Sequence, residues 1–235
     1  MSNVQVSEIN GLKIYNLTGG KSLFDMMKES NFNYKKLKKN EDYVNRIEII
    51  QDFQFPISAG CLKASNDGNY IIASGIYPPR LKIYELNEMS LKCERGLDSE
   101  IRKIEIISDD YSKVAILCED RNIELHAQYG KHFKIRIPKY GRDLVYHKTS
   151  CDLFAVGSSS EIYRLNLFDG QFLNPFQSSA ESINACAINY NLELMGIAGE
   201  KGVVELWDLK DKKKVVGLPI LHDSLYNNYE YTIMK

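Results

Sequence analysis

A short segment of alternating apolar and polar residues recurs along the chain at intervals close to 40 residues. Alternation with a period of two is typical of a β-strand with one buried face. The fourth position of the segment is Tyr15, Tyr84, His126, Leu165 or Trp207, and the last four of these are separated by 42, 39 and 42 residues. Helical periodicity does not fit these segments. A repeat of this length predicts four-stranded blades of a WD-type β-propeller.

Three further strand-like segments accompany each of the last four copies, joined by turn residues. Asp67-Gly68 marks the first hairpin because an Asp-Gly pair accepts positive φ, and Trp207-Asp208 is the single literal Trp-Asp dipeptide of the chain. The sequence therefore predicts an all-β fold. About four complete blades are expected, at about 57–97, 101–138, 142–178 and 182–220.

Only part of a blade precedes these four, and we expect it within residues 1–53. Its strands are predicted around 12–17 and 46–53, with an insertion at 21–45 between them. The insertion is expected to be partly helical because Ser22 begins a segment with the pattern of a capped helix. The terminal segment 221–235 offers no recognisable strands to complete the first blade. We therefore expect residues 1–235 to form a single propeller region that is a fragment of a longer propeller.

The composition limits how the chain can meet a polyanion. Its 30 Lys and Arg residues against 31 Asp and Glu residues give a formal net charge of −1. Any contact with RNA is therefore expected to be local. The first residues lack the pattern of a secretory signal, and no run of about 18 apolar residues occurs, so we expect a soluble intracellular protein without a membrane partner.

Residues that could carry chemistry are scattered. The five cysteines stand singly, which favours buried reduced thiols, and neither they nor the four histidines have metal-ligand spacing. Gly19-Gly-Lys-Ser22 resembles a phosphate loop, but Tyr15 stands where such a loop needs its first glycine. Asp109-Asp110 and Glu119-Asp120 fit turns better than a catalytic carboxylate pair. We predict no catalytic residue, metal, cofactor or small-molecule substrate.

The segment from Arg136 to Asp143 is the best candidate for a contact surface. Pro138 and Gly141 predict a loop between an outer strand and the next inner strand, where recognition residues often lie in propellers. Arg136, Lys139 and Arg142 could meet phosphates, and Tyr140 could stack on a base or fill a protein pocket. The alternative is structural, with Arg142 or Asp143 paired to a neighbouring loop.

A second basic candidate lies in the insertion. Its members are Lys35, Lys36, Lys38 and Lys39. These lysines could reach RNA or an acidic partner. The alternative is a solvated helix face.

Several ordered stretches resemble the nucleolar protein 10 family of eukaryotes. They run through about residues 4–209, whereas 212–235 match poorly. Among them are Gly20-Lys-Ser-Leu23, Arg46-Ile-Glu-Ile-Ile-Gln-Asp-Phe53, Ser108-Asp-Asp-Tyr-Ser-Lys113, Arg136-Ile-Pro-Lys-Tyr-Gly-Arg-Asp143 and Ser159-Ser-Glu-Ile-Tyr-Arg-Leu-Asn-Leu167. The resemblance implies a nucleolar WD-repeat protein of the small-subunit processome, acting in early pre-rRNA processing towards 18S rRNA. It also implies processome proteins as partners and pre-rRNA as a direct or indirect one.

Two other functions stay open beside this non-enzymatic scaffold in ribosome biogenesis. Generic WD-repeat blades would equally fit a protein-interaction scaffold in another nuclear or cytoplasmic pathway. A propeller enzyme would gather polar residues at one position of several inner strands. The inner strands instead offer Lys63, Glu105, Val145 and Ala187.

Overall fold

The computed structural model describes residues 4–9, 12–18, 26, 39–50, 53 and 55–219. Within these ranges the chain is almost entirely β-structure, with one three-stranded sheet followed by four four-stranded sheets. In every sheet the strands lie side by side in the order in which they follow one another in the chain. The predicted all-β fold with four complete blades and a partial first blade is confirmed.

The first sheet contains β1 (Gln5–Ile9), β2 (Leu12–Asn16) and β3 (Glu48–Ile50). The second contains β4 (Ala59–Ala64), β5 (Tyr70–Gly75), β6 (Arg80–Glu85) and β7 (Ser90–Gly96). The third contains β8 (Ile101–Ile106), β9 (Val114–Cys118), β10 (Asn122–Ala127) and β11 (Gly130–Arg136). The fourth contains β12 (Gly141–His147), β13 (Asp152–Gly157), β14 (Glu161–Asn166) and β15 (Gln171–Gln177). The fifth contains β16 (Ile183–Asn189), β17 (Leu194–Gly199), β18 (Val203–Asp208) and β19 (Lys213–Pro219).

The first sheet has a strand that the sequence pattern did not reveal. β1 pairs with β2 in an antiparallel hairpin, with Val6 opposite Tyr15, and β2 pairs on its other side with β3. In the insertion, Met26 is helical and a short helix, α1, spans Glu41–Val44, whereas Ser22 lies outside the described residues. The insertion is therefore partly helical where it is described. No helix in the described ranges is long and apolar enough to cross a membrane.

Short polar side chains shape the turns. Gly68 has a φ of +74°, as the Asp-Gly hairpin signal requires, and Asp67 accepts a hydrogen bond from the Asn69 amide at 3.0 Å. Asp110 accepts one from the Ser112 amide at 3.0 Å, and hydrogen bonds from Ser112 and Ser108 lower the pKa of Asp110. These aspartates therefore hold turns.

Two compact units make up the chain, one from 1–114 with 126–130 and the other from 115–125 with 131–235. In the first unit, β4 lies beside β8. Lys63 on β4 forms an ion pair with the buried Glu105 on β8, with 2.5 Å between Nζ and Oε2. The ring of Phe53 packs against that of Tyr84 with 4.3 Å between centroids. Lys63 and Glu105, two of the inner-strand residues considered for a channel site, thus form an ion pair between neighbouring strands.

In the second unit, the fourth and fifth sheets bury an apolar layer between them. The rings of Phe176 and Trp207 are stacked with 5.1 Å between centroids, and Phe154 lies beside Phe176 at 6.1 Å. Arg164 places its guanidinium 4.5 Å from the Phe176 centroid and pairs with the buried Asp152 at 2.9 Å. The other members of the layer are Val156, Ile162, Ile183, Cys186, Met195, Ile197 and Leu209.

A buried carboxylate ties the fifth sheet to the loop that precedes it. Glu205 is fully buried on β18 and accepts hydrogen bonds from the Ser179 amide at 2.9 Å, the Trp207 indole at 3.1 Å and Lys214 Nζ at 2.7 Å. Burial alone would raise the pKa of Glu205. The hydrogen bonds from Lys214 and Ser179 outweigh burial and lower the pKa to about 2.

This carboxylate predicts a pH dependence of stability. Because the pKa of Glu205 is lower in the folded chain than in the unfolded one, its stabilisation is complete above the ordinary glutamate pKa and is lost as the pH falls towards 2. Glu205→Gln should lower the free energy of unfolding at neutral pH and flatten its decline in acid. Urea denaturation at several pH values measures both effects. Glu181→Gln, which removes a carboxylate from an exposed ion pair with Lys201, is the control. Equal acid profiles for wild type and Glu205→Gln would contradict the assignment.

Candidate interaction site at the 137–140 loop

The 137–140 loop joins β11 of the third sheet to β12 of the fourth. Successive strands of the third sheet lie side by side and alternate in direction. The turn between β9 and β10 and the C-terminal end of β11 therefore lie at the same end of that sheet. The Ile137 amide donates a hydrogen bond to the Arg121 carbonyl at 2.9 Å. The β9–β10 turn is therefore part of this site.

Arg121 and Tyr140 form a cation–aromatic pair. The Arg121 guanidinium carbon lies 5.3 Å from the centroid of the Tyr140 ring, within the range of a cation–π interaction. The same guanidinium donates to the Pro138 carbonyl at 3.3 Å. The Tyr140 side chain nevertheless stays 61% exposed. The pair thus holds an aromatic ring and a positive charge together at the surface.

The backbone beneath this ring is fixed. The Tyr140 carbonyl accepts hydrogen bonds from the Ser158 amide at 2.9 Å and the Ser158 hydroxyl at 3.3 Å. Gly157 lies so close that a Cβ there would stand 1.8 Å from the Tyr140 oxygen, and a Cβ on Gly141 would stand 2.7 Å from Leu117. The contacts of the 137–140 loop with both neighbouring sheets therefore require these two glycines.

Two further cations flank the pair. Arg136 and Lys139 are exposed, and neither has an ion pair or hydrogen bond through its side chain in the part of the chain that the structure describes. Asp120, beside Arg121, lies 3.2 Å from Lys134 Nζ and accepts a hydrogen bond from the Asn122 amide. The negative charge of Asp120 is therefore already paired with Lys134. We call Arg121, Arg136, Lys139 and Tyr140 the cation–aromatic cluster.

Arg142 lies elsewhere and serves the contact between two sheets. Its Nη1 donates to the Ser182 hydroxyl at 3.1 Å, to the side-chain oxygen of Asn184 and to the Glu200 carboxylate at 3.1 Å. Hydrogen bonds from Ser182 and Arg142 lower the pKa of Glu200. The neighbouring Asp143 is buried and accepts a hydrogen bond from the Cys186 amide at 3.0 Å. These two residues make the structural contact that the sequence left open as an alternative.

The basic candidate in the insertion is described only at one residue. Lys39 is exposed in a turn that precedes α1. Lys35, Lys36 and Lys38 lie outside the described residues. Among the residues that are described, no group of three His, Cys, Asp or Glu side chains is placed to hold a metal ion.

Sequence reasoning missed Arg121. It follows the acidic pair Glu119-Asp120, whose pattern fits a turn better than a catalytic carboxylate pair. The order of strands in a blade could have indicated Arg121, because the turn after the second strand and the loop after the fourth strand lie at the same end of the blade. Arg121 also has a φ of 65°, which places it in a tight turn.

The chain matches a family model described as "Nucleolar protein 10-like, N-terminal domain", a β-propeller model, over residues 5–233. The chain belongs to this family. The family model extends to residue 233, beyond residue 209, where the ordered stretches of resemblance end. The family resemblance is confirmed, and so is the expected nucleolar localisation.

Relatives of this family are similar over most of the chain. Nucleolar protein 10 of Xenopus laevis is 47% identical over 212 residues, which is 90% of this chain. Human nucleolar protein 10 is 48% identical over the same share. The Saccharomyces cerevisiae protein named ribosome biogenesis protein ENP2 is 39% identical over 88% of the chain. The chain spans only 31% of the length of the two vertebrate proteins and 29% of ENP2.

Solved structures support the fold independently. The WD40 repeats of RRP9 superpose with a TM-score of 0.59 at 13% identity, covering 69% of this chain and 51% of that one. The structure of U3-55K gives the same TM-score and identity, with 52% of its chain covered. At this identity the likeness establishes a WD40 fold.

The close approach of Gly157 to Tyr140 predicts a cost for any side chain there. Gly157→Ala should lower the free energy of unfolding by about 2 kcal/mol, because the new Cβ meets a hydrogen-bonded backbone that cannot move freely. Chemical denaturation measures this change. Gly96→Ala is the matched control, since a Cβ at this strand glycine meets nothing within 4 Å. Equal stability of the two variants would contradict the described anchoring of the 137–140 loop.

Proposed function

We propose that the chain acts as a non-enzymatic scaffold in ribosome biogenesis, as a component of the small-subunit processome that supports early pre-rRNA processing towards 18S rRNA. Its partners would be other processome proteins, with pre-rRNA contacted directly or through them. The action is positioning, in which rigid sheets hold exposed loops in fixed places for other molecules to bind.

Membership of the nucleolar protein 10-like family is the observation that carries this proposal. A yeast relative that is 39% identical over 88% of the chain is named a ribosome biogenesis protein. A Schizosaccharomyces pombe relative, 42% identical over 77% of the chain, is named its homologue. The family model spans residues 5–233 and so includes the sheets that present the cation–aromatic cluster.

The internal polar groups support positioning in place of bond chemistry. Glu105 is engaged by Lys63, Asp143 by the Cys186 amide, and Glu205 by Lys214 and Ser179. Each of these buried carboxylates joins one strand or loop to the next. Charges used in this way fix the arrangement of sheets on which a scaffold depends.

Recovery of precursor RNA tests the proposal. The full-length protein, tagged at its own locus, should co-purify with small-subunit precursor RNA and not with large-subunit precursors. Its depletion should reduce mature 18S rRNA while 25S or 28S rRNA is maintained. Northern hybridisation of the purified RNA and pulse labelling of rRNA measure these outcomes, and an unrelated tagged nucleolar protein is the control.

Normal 18S maturation after depletion, together with recovery of no small-subunit precursor, would overturn the proposal. A WD-repeat scaffold in another pathway would then be the better reading, because the blades alone do not specify a pathway.

A further inference from the structure

We propose that the cation–aromatic cluster binds single-stranded RNA directly, with Tyr140 stacked on one base and Arg121, Arg136 and Lys139 contacting the adjacent phosphates. The choice of RNA as the polyanion rests on the proposed function, whereas the expected stacking and phosphate contacts rest on the residues of the cluster itself. Sequence-tolerant binding of single strands commonly combines an aromatic platform with cations that follow the backbone.

The Tyr140 ring is prepared for stacking. Its backbone is held by two hydrogen bonds from Ser158 and by close contact with Gly157, while the ring itself stays 61% exposed. The Arg121 guanidinium lies 5.3 Å from the centroid of the ring. Because the backbone that carries the ring is already held, less conformational freedom is lost on binding, which favours affinity from a single stacked base.

The charges around the ring suit phosphates. Arg136 and Lys139 are exposed and have no side-chain partner among the described residues, so binding would not require either to give up an ion pair. The acidic Asp120 is already matched by Lys134. Since the chain as a whole carries a net charge of −1, attraction of RNA must come from such a local group of cations.

A single strand fits better than a duplex or a protein. A base offers a flat face to Tyr140 only when it is unstacked from its neighbours, which single strands permit. Three of the four residues of the cluster are cations, whereas charged residues are depleted at the centre of a protein interface.

Binding of a fluorescent 12-nucleotide single-stranded RNA to the whole chain tests the inference. Tyr140→Ala should weaken binding about tenfold and leave the salt dependence unchanged, and Tyr140→Phe should bind like wild type. The double variant Arg136→Gln, Lys139→Gln should reduce the slope of log affinity against log salt by about 1.4, since about 0.7 is expected per cation. Two control variants should bind normally. Phe168→Ala removes an 88% exposed ring from a turn at the opposite end of the fourth sheet, and Lys113→Gln removes an exposed cation outside the cluster.

Equal affinity of Tyr140→Ala, the double variant and the controls would overturn the inference. So would equal binding of a duplex of the same sequence. In cells, ultraviolet crosslinking of the full-length protein should map RNA to the peptide that contains Tyr140. Co-purification with small-subunit precursors without this crosslink, and with a protein crosslinked there instead, would refute direct RNA binding while leaving the proposed function intact. Absence of small-subunit precursors from the purified protein, together with normal 18S maturation after depletion, would refute the proposed function.

Discussion

The apolar layer between the fourth and fifth sheets is the feature on which the rest of the second unit depends. Phe154, Phe176 and Trp207 fill it with stacked rings, which bury large areas and pack in defined geometries. The polar groups at its margins, Asp143 and Glu205, bond to the amides of Cys186 and Ser179. Hydrophobic burial thus brings the sheets together, and buried hydrogen bonds set their register.

The same packing explains why two nearby basic residues, Lys139 and Arg142, have different surroundings. Arg142 is the second residue of β12 and reaches the neighbouring sheet, where Ser182 and Glu200 bind its guanidinium. Lys139 precedes the strand, in a loop whose backbone is held while its side chain is exposed. Lys139 and Arg142, three positions apart in the chain, therefore differ: the Lys139 side chain is exposed, and the Arg142 side chain joins two sheets.

The period of about 40 residues was enough to predict the blades, because strand alternation and turn residues are local properties. β1 was missed because Gln5–Ile9 is short and mostly polar, so only its pairing with β2 identifies it as a strand. The 137–140 loop could be predicted from Pro138 and Gly141. The roles of Arg121 and Arg142 could not, because each depends on which strand or loop lies alongside, a property of the register between distant segments and not of local sequence.

Hydrogen–deuterium exchange at two amides tests most directly whether rigid sheets hold the 137–140 loop. The Cys186 amide is bound by the buried Asp143 carboxylate, and the Ser158 amide by the Tyr140 carbonyl. Both should exchange as slowly as the central strand amides of β13, because opening either requires the two sheets or the loop to separate. Exchange of both at the rate of exposed turn amides, such as those at 190–192, would contradict the account.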